Sequence, residues 1–566
     1  MTDGPPSARS ARSGRGAAER SARRVGGGGA SRWAIWAGAG ALVAFIAIFF
    51  LWPIGEILWR GLAPDGVLDL SAIGEVISRP RTLRIIGLTL AQAAIATLVS
   101  LLLGMPAAFV LYRRRFRGRA ALRALSLVPF VLPTVVVGVA FKVLFADTPL
   151  DGAWLAIILA LVFFNVAVVS RTVGTAWEEL DPSIEEAAAD LGAGPARTFL
   201  AVTLPRLAPS IASAAIIVFL FCSTAFGVVL VLGGTRFGTV ETEIWTLTTQ
   251  YLDLRAASVL SLVQVVFVVA VLWAASRARS RPELRTPSPA RPLRLADAPL
   301  VIAAAVVAAL LAVPVVSLVV RSLRGADGWT LQHWAALTGV GSGVGGGAPA
   351  LAVSPLQALG HSLLFALAGT AVAMAVGLGA SILLSRRPGS ARGRRLLAAL
   401  EGGLMLPLGV SAVVLGFGYL VALDTPPFDL RSSPVLVPIA QALVAAPLVI
   451  RTLLPVLRGV DPLLRDAAAD LGASPWRVLT SIDLRLAVRP AIAAAGLAFA
   501  VCLGEFGATA FLSRPDWATL PVVIERLAGH PGSGNLAMAN AAAVLLAAVT
   551  ALALAAGELA RSRRLS

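Results

Sequence analysis

The sequence predicts an all-α polytopic membrane protein with twelve transmembrane helices, arranged as two parallel six-helix repeats. Composition is the first reason: of 566 residues, 57% are hydrophobic and only 14% charged, a balance that belongs to membrane spans rather than to a water-soluble domain. Apolar runs also recur along the whole chain, and about 20 such residues suffice to cross a bilayer as a helix. Finally, one polar stretch occurs twice, and self-similarity at a fixed separation marks an internal duplication.

The first copy runs from Asp181 to Pro195 as Asp-Pro-Ser-Ile-Glu-Glu-Ala-Ala-Ala-Asp-Leu-Gly-Ala-Gly-Pro. The second runs from Asp461 to Pro475 as Asp-Pro-Leu-Leu-Arg-Asp-Ala-Ala-Ala-Asp-Leu-Gly-Ala-Ser-Pro, identical at ten of fifteen positions. Asp181 and Asp461 are suited to cap a helix whose first position is Pro182 or Pro462. Acidic residues follow where the helix dipole favours them. Gly192 and Gly472 suit a left-handed stop. A second helix can start at once at Pro195 or Pro475, giving a compact helix–turn–helix at the membrane surface.

The spans are expected at Trp33 to Pro53 and at about 84–111, 125–145, 153–171, 208–232 and 256–275, then at about 300–320, 361–384, 397–423, 435–452, 488–512 and 538–559. This divides the chain into a disordered basic tail (1–32), a first half (33–275) with its polar loop at 181–205, a basic Pro-rich linker (276–298) and a second half (299–566) with its loop at 461–485. Trp33 to Pro53 is long enough to remain as an uncleaved helix. Six spans per half is an even number, so the halves share one orientation and are related by an axis along the membrane normal.

Charge supports the count. With the N-terminus inside, Arg113, Arg114, Arg115, Arg117, Arg119, Arg277, Arg279, Arg281, Arg386, Arg387, Arg394, Arg395, Arg561, Arg563 and Arg564 all fall on one side. Roughly 36 basic residues lie inside and about 11 outside, the asymmetry of cytoplasmic loops. Both duplicated loops are then cytoplasmic, as are both termini. The net charge of +17 is therefore a topology signal and not a nucleic-acid footprint.

Glu186-Ala187-Ala188, three residues, Gly192, nine residues and Val202-Thr-Leu-Pro205 resemble the Glu-Ala-Ala signature of permease subunits of binding-protein-dependent ABC importers. Asp466-Ala467-Ala468, Gly472 and Ile482-Asp-Leu484 match it at the same spacing. Asp466 replaces the Glu on a shorter arm. Arg485 stands where the first copy has Pro205, which opens a different exit for the second motif. The resemblance covers the chain beyond its tail and is to fused permeases, in which two half-permeases form one polypeptide. It implies a bacterial cytoplasmic membrane protein, two copies of a separate ATPase below it and an extracytoplasmic binding protein above it. The helices at about 182–200 and 462–480 resemble coupling helices, with Glu186 and Asp466 making polar contacts to the ATPase. The chain would hold no cofactor, ATP–Mg²⁺ being bound by the partner. Lys142 is the only lysine, so no phosphate-binding Gly-Lys-Ser/Thr loop exists.

The duplication extends beyond the loops. Cys222-Ser-Thr-Ala-Phe226-Gly227 aligns with Cys502-Leu-Gly-Glu-Phe506-Gly507 at the same offset, in the fifth span of each half. The cysteines read as small core residues. Glu505 is placed about seven residues, roughly 10 Å, inside the outer end of its helix, and an intramembrane acid faces a polar cavity or a partner. Glu505, Phe506 and Phe226 are thus the candidate pathway residues. Pro129, Pro133 and Gly138 have counterparts in Pro407, Gly409 and Gly416, and kinks at matching positions can line a pathway. Gln264 is read as an interhelical hydrogen-bonding group and Lys142 as snorkelling. The Gly341–Gly347 run reads as an outer loop. His333, His361 and His530 are scattered, and no catalytic triad, metalloprotease or zinc spacing is present. Within the resembled group, Leu503-Gly-Glu-Phe-Gly-Ala508 and Thr519-Leu-Pro521 look more like thiamine permeases than iron(III) permeases, and Gly-Glu-Phe-Gly also occurs in molybdate permeases. Thiamine or its phosphate ester is the expected substrate, with iron(III) or molybdate as alternatives. A six-plus-six secondary transporter would share the span count but gives no reason for two Glu-Ala-Ala loops.

Overall fold

The computed structural model describes residues 29–562 apart from 64–65, 68, 127, 235, 279–289, 326–327, 342–349, 387–389, 425–429, 431–432 and 532. The expected tail up to residue 28, the middle of the linker, the Gly-rich run beyond Gly341, and Arg279, Arg281, Arg387, Arg563 and Arg564 lie outside the described residues.

In the first half, α1 (Gly29–Ile46) continues through a π turn (Ala47–Leu51) into α2 (Trp52–Leu62). There follow α3 (Pro80–Ala108), α4 (Thr134–Phe145), α5 (Trp154–Glu178), α6 (Pro182–Asp190), α7 (Pro195–Thr198), α8 (Leu204–Ser223), α9 (Gly227–Gly233), α10 (Val240–Thr249) and α11 (Leu254–Ala278). The second half opens on α12 (Ala298–Ser322). It then repeats the order with α13 (Pro355–Leu384), α14 (Ala412–Ala422), α15 (Leu436–Arg458), α16 (Pro462–Asp470), α17 (Pro475–Val478), α18 (Leu484–Gly504), α19 (Gly507–Leu512), α20 (Leu520–Gly529) and α21 (Ser533–Ser562). From α3 onward, equivalent helices are ten labels apart.

Among the described residues, ten helices are long and apolar enough to cross a membrane. Two bent pairs, Arg119–Phe130 with Thr134–Phe145 and Ala391–Leu408 with Ala412–Ala422, raise the number to twelve. The bends are 92° and 98° and occur at the third span of each half. Their cause is local: Pro133 has no N–H to continue a helix, and on the other side the chain passes through Pro407 and Gly409 before Ser411 restarts it. Of the proline and glycine positions noted in the sequence, Pro133, Pro407 and Gly409 therefore lie at the breaks, whereas Gly138 and Gly416 lie inside α4 and α14.

Within each half, α3, α5 and α8, or α13, α15 and α18, pack on one another. Small residues let them approach. A Cβ on Gly104 would lie 2.6 Å from Val169 Cγ1, and one on Gly377 would lie 2.5 Å from Val449 Cγ1. The two contacts are equivalent, and close backbone approach at small residues is how helices associate when no hydrophobic drive separates them from lipid. The first helices cross over. α2 packs on α14 of the other half as well as on α11, and α12 packs on α3 and α4 as well as on α21. Beyond α3, a two-residue strand, β1 (Arg114–Arg115), pairs in parallel with β2 (Arg291–Pro292) at the end of the linker. Arg114 forms an ion pair with Asp297 at 2.7 Å.

Gly104→Ala and Gly377→Ala should each cost about 1–3 kcal/mol by overpacking. The measure is a lowered thermal midpoint of the detergent-solubilised protein, recovered when Val169→Ala or Val449→Ala is added to the matching variant. Gly87→Ala on α3, whose Cβ would meet nothing within 4 Å, should leave it unchanged.

Candidate functional site

Two regions carry the features singled out by the sequence: the duplicated surface loops and the junction between the halves. In each loop the Asp side chain accepts a hydrogen bond from the backbone two residues on, Ser183 N to Asp181 at 2.9 Å and Leu463 N to Asp461 at 2.9 Å. α6 and α16 then run nine residues each and stop at a glycine with positive φ, +83° at Gly192 and +82° at Gly472. Ala193 N bonds to Ala188 O at 3.0 Å and Ala473 N to Ala468 O at 2.9 Å, while Gly192 and Gly472 bond to Ala189 and Ala469. This paired pattern is the Schellman stop. Pro195 and Pro475 start the next helix at once. A π turn then leads into α8 and α18 in both copies, so Arg485 does not alter the exit that Pro205 takes. Both residues follow the π turn inside a helix that runs on continuously from Pro195 or Pro475.

What fastens these loops to the membrane helices differs in sign. In the first half Glu185 accepts from Arg113 at 2.5 Å and from Thr203 Oγ1 at 3.0 Å, and Arg113 also donates to Leu180 O at 3.1 Å. In the second half the position of Glu185 is taken by Arg465 and that of Thr203 by Asp483. Asp483, 1% exposed, pairs with Arg465 at 2.8 Å and with Arg386 at 2.8 Å. The acid has moved from one side of the joint to the other, and an arginine from just beyond α3 or α13 holds it in both. Composition alone did not reveal this exchange, but setting the two copies side by side does.

The signature residues face outward. Glu186, Ala187, Asp466 and Ala467 are exposed, and Ala188 and Ala468 are half-buried. Leu191 and Leu471 are each 89% exposed, and Leu463 and Trp476 are exposed as well. Glu186 forms an ion pair with Arg291 of β2, so the linker reaches the first loop.

At the junction of the halves, Phe226 and Phe506 stack with ring centroids 5.3 Å apart and planes at 17°. These are equivalent residues of the two repeats, and equivalent residues can stack in this way only where the pseudo-two-fold axis passes between them. The structure thus brings two of the three candidate pathway residues together. Trp245 lies edge-on to Phe226 at 6.0 Å and to Phe511 at 4.8 Å. Glu505 is not inside a continuous helix: α18 ends at Gly504 and α19 begins at Gly507. Its carboxylate accepts from Ala508 N at 2.7 Å, from Thr509 N at 3.1 Å and from Thr509 Oγ1. Both oxygens therefore cap α19, and through it set the backbone that carries Phe506.

Sequence reasoning missed Glu241. It falls between the expected spans at 208–232 and 256–275, where it opens α10, a helix too short to span, and is 0% exposed. It accepts from Ser411 Oγ at 2.6 Å and from Gln264 Nε2 at 3.1 Å, so Gln264 is indeed an interhelical bonding group. The available signal was Thr239, whose hydroxyl caps α10. Lys142 donates to Ala528 O at 2.7 Å, at the end of α20 where the helix dipole favours a cation.

Asp483→Thr should leave two arginines without their counter-ion and cost about 3–5 kcal/mol, measured as loss of folded protein after solubilisation. Adding Arg465→Glu rebuilds the first-half joint and should restore most of it.

The sequence matches the family described as "Binding-protein-dependent transport system inner membrane component" over residues 100–326 and 377–562. Among curated proteins, the sulfate transport system permease protein CysT of Escherichia coli is 31% identical over 43% of this chain and 91% of its own length. The thiamine transport system permease protein ThiP of Escherichia coli is 28% identical over 77% of this chain and 82% of its own length. A solved bacterial ABC transporter that imports the polysaccharide alginate aligns to 44% of this chain and 96% of its own, at 18% identity and a TM-score of 0.38. ATP hydrolysis in such importers falls to a separate subunit. The chain, with the signature loop in each of its repeats, belongs to the family of binding-protein-dependent transport system inner membrane components.

Proposed function

We propose that the chain is the two-half permease of an ABC importer for thiamine or its phosphate ester, lying in the bacterial cytoplasmic membrane with both termini inside. The observation that carries the substrate is the extent of similarity. The thiamine permease aligns across both halves, whereas the sulfate permease aligns to one half's length. That sulfate relative, and the molybdate/tungstate permease of Pyrococcus abyssi at 31% identity over 34% of this chain, favour an oxyanion as the second reading.

In this reading two ATPase subunits seat on α6–α7 and α16–α17. Exposed Leu191, Leu471, Leu463 and Trp476 enter apolar grooves, and Glu186 and Asp466 make the polar contacts. Gly192 and Gly472 fix the turn that presents them. The clamps at Glu185 and at Asp483 transmit the push into α8 and α18, because each joins a surface helix to the start of a span. A binding protein delivers substrate to the outer face. ATP-driven approach of the two loops then biases a two-state packing of the halves, and substrate passes where Phe226 and Phe506 meet. Glu505 acts as the positioning group for Phe506.

Copurification of an ATPase from native membranes, with activity stimulated by a thiamine-loaded binding protein, tests the reading; stimulation by a sulfate-loaded protein instead would favour the oxyanion. Gly192→Pro or Gly472→Pro removes an N–H used in the stop and demands a φ of opposite sign. Each should cut stimulated ATPase activity at least tenfold while the chain stays in the membrane. Unchanged transport by either variant would remove the coupling assignment.

A further inference from the structure

We infer that Glu241, Trp245 and the Phe226–Phe506 pair form a transient binding site for an aromatic organic cation at the junction of the halves. The inference rests on the reading of this junction as the pathway for thiamine, and it assigns the cation contact to Glu241, not to Glu505.

Glu241 is fully buried and its two hydrogen-bond donors, Ser411 Oγ and Gln264 Nε2, are neutral. Among the described residues no arginine, lysine or histidine pairs with it. A carboxyl held in an apolar interior without a cation is costly, and an intramembrane acid points first to function. Trp245 lies one turn further along α10, on the same helix face. Its ring meets Phe226 from its own half and Phe511 from the other, and Phe226 stacks on Phe506. Four aromatic rings from both halves thus gather at the junction, with Glu241 one helical turn from Trp245, and an acid near aromatic faces is the combination that binds a cation carrying its charge on a flat ring.

The second repeat does not duplicate the acid: Pro521 stands at the position of Glu241. Glu505 has no acid opposite it either, since Ala225 stands there, and its oxygens are committed to the backbone of α19. One carboxylate therefore serves one cation. Ser411 comes from α14 of the second half, while Glu241 and Gln264 come from the first. Separation of the halves withdraws the Ser411 hydroxyl and parts the stacked rings, leaving an acceptor and two aromatic faces open together. Re-closure returns the hydroxyl to the carboxylate and expels the cation.

Reconstitution of the permease with its ATPase and a thiamine-loaded binding protein in proteoliposomes gives the test, with labelled thiamine uptake and ATPase stimulation read together. Glu241→Gln should lower uptake at least tenfold with stimulation within twofold of the wild type, and Glu241→Asp should recover part of the uptake. Trp245→Leu should raise the KM for thiamine at least threefold at similar stimulation. If Glu241→Gln fails to assemble, Trp245→Leu decides by the same readings. Wild-type thiamine uptake that survives both substitutions unchanged would overturn the cation site alone. A wild-type complex that carries sulfate or molybdate but not thiamine would overturn the substrate reading and the cation site with it.

Discussion

Backbone polar groups inside a bilayer have no water to bond to, so a helix that ends there must find its partners in protein. This chain ends or starts helices inside the bundle several times, and four of these starts are closed by a side chain. Ser411 accepts from Val413 N at the start of α14, and Glu505 does the same for α19. Thr89 Oγ1 accepts from Val240 N at 3.1 Å, and Ser362 Oγ from Leu520 N at 2.7 Å. Thr89 and Ser362 sit at equivalent heights on α3 and α13, so the short helices α10 and α20 are held by the same device in both repeats. Ser411 closes the break that follows Gly409, whereas at Pro133 the proline itself removes one of the N–H groups that would need a partner.

The surface loops were legible in the sequence almost to the residue. Their structure depends on interactions within a few positions: an Asp cap, a proline in the first turn, an alanine run and a glycine stop. The spans were legible for a similar reason, since length and hydropathy are local properties. Glu505 was placed correctly along the chain but assigned the wrong surroundings. Gly504 and Gly507 on either side of it were the sign of a break, and a broken helix turns an intramembrane acid into a cap. The contacts of Glu241 and Lys142 were not legible because their partners, Ser411 and Ala528, lie in the other half. No periodicity near either residue records a contact across so long a stretch of chain.

The joints beneath the loops show what a duplication preserves. Arg113 and Arg386 persist, and so does the presence of an acid in the joint, but the acid changes sides between Glu185 and Asp483. The geometry of attachment is the shared quantity; the residue that carries the charge is not. The linker adds a further difference, because Arg291 meets Glu186 in the first loop, and the second loop has no linker following it in the chain. The two loops therefore offer unlike surfaces even though their backbones follow one path.

Covalent joining of the repeats has a consequence at the axis. In a permease made of two identical chains every residue near the symmetry axis is present in duplicate, so an acid placed there brings a second negative charge within a few ångströms, and any substitution is made twice. Here Glu241 is matched by Pro521 and Glu505 by Ala225. A single charge, or a single cap, can be introduced on one flank while the other is left apolar. The junction can thus carry an odd number of ionisable groups and a sideways electric polarity, neither of which a strict homodimer can encode.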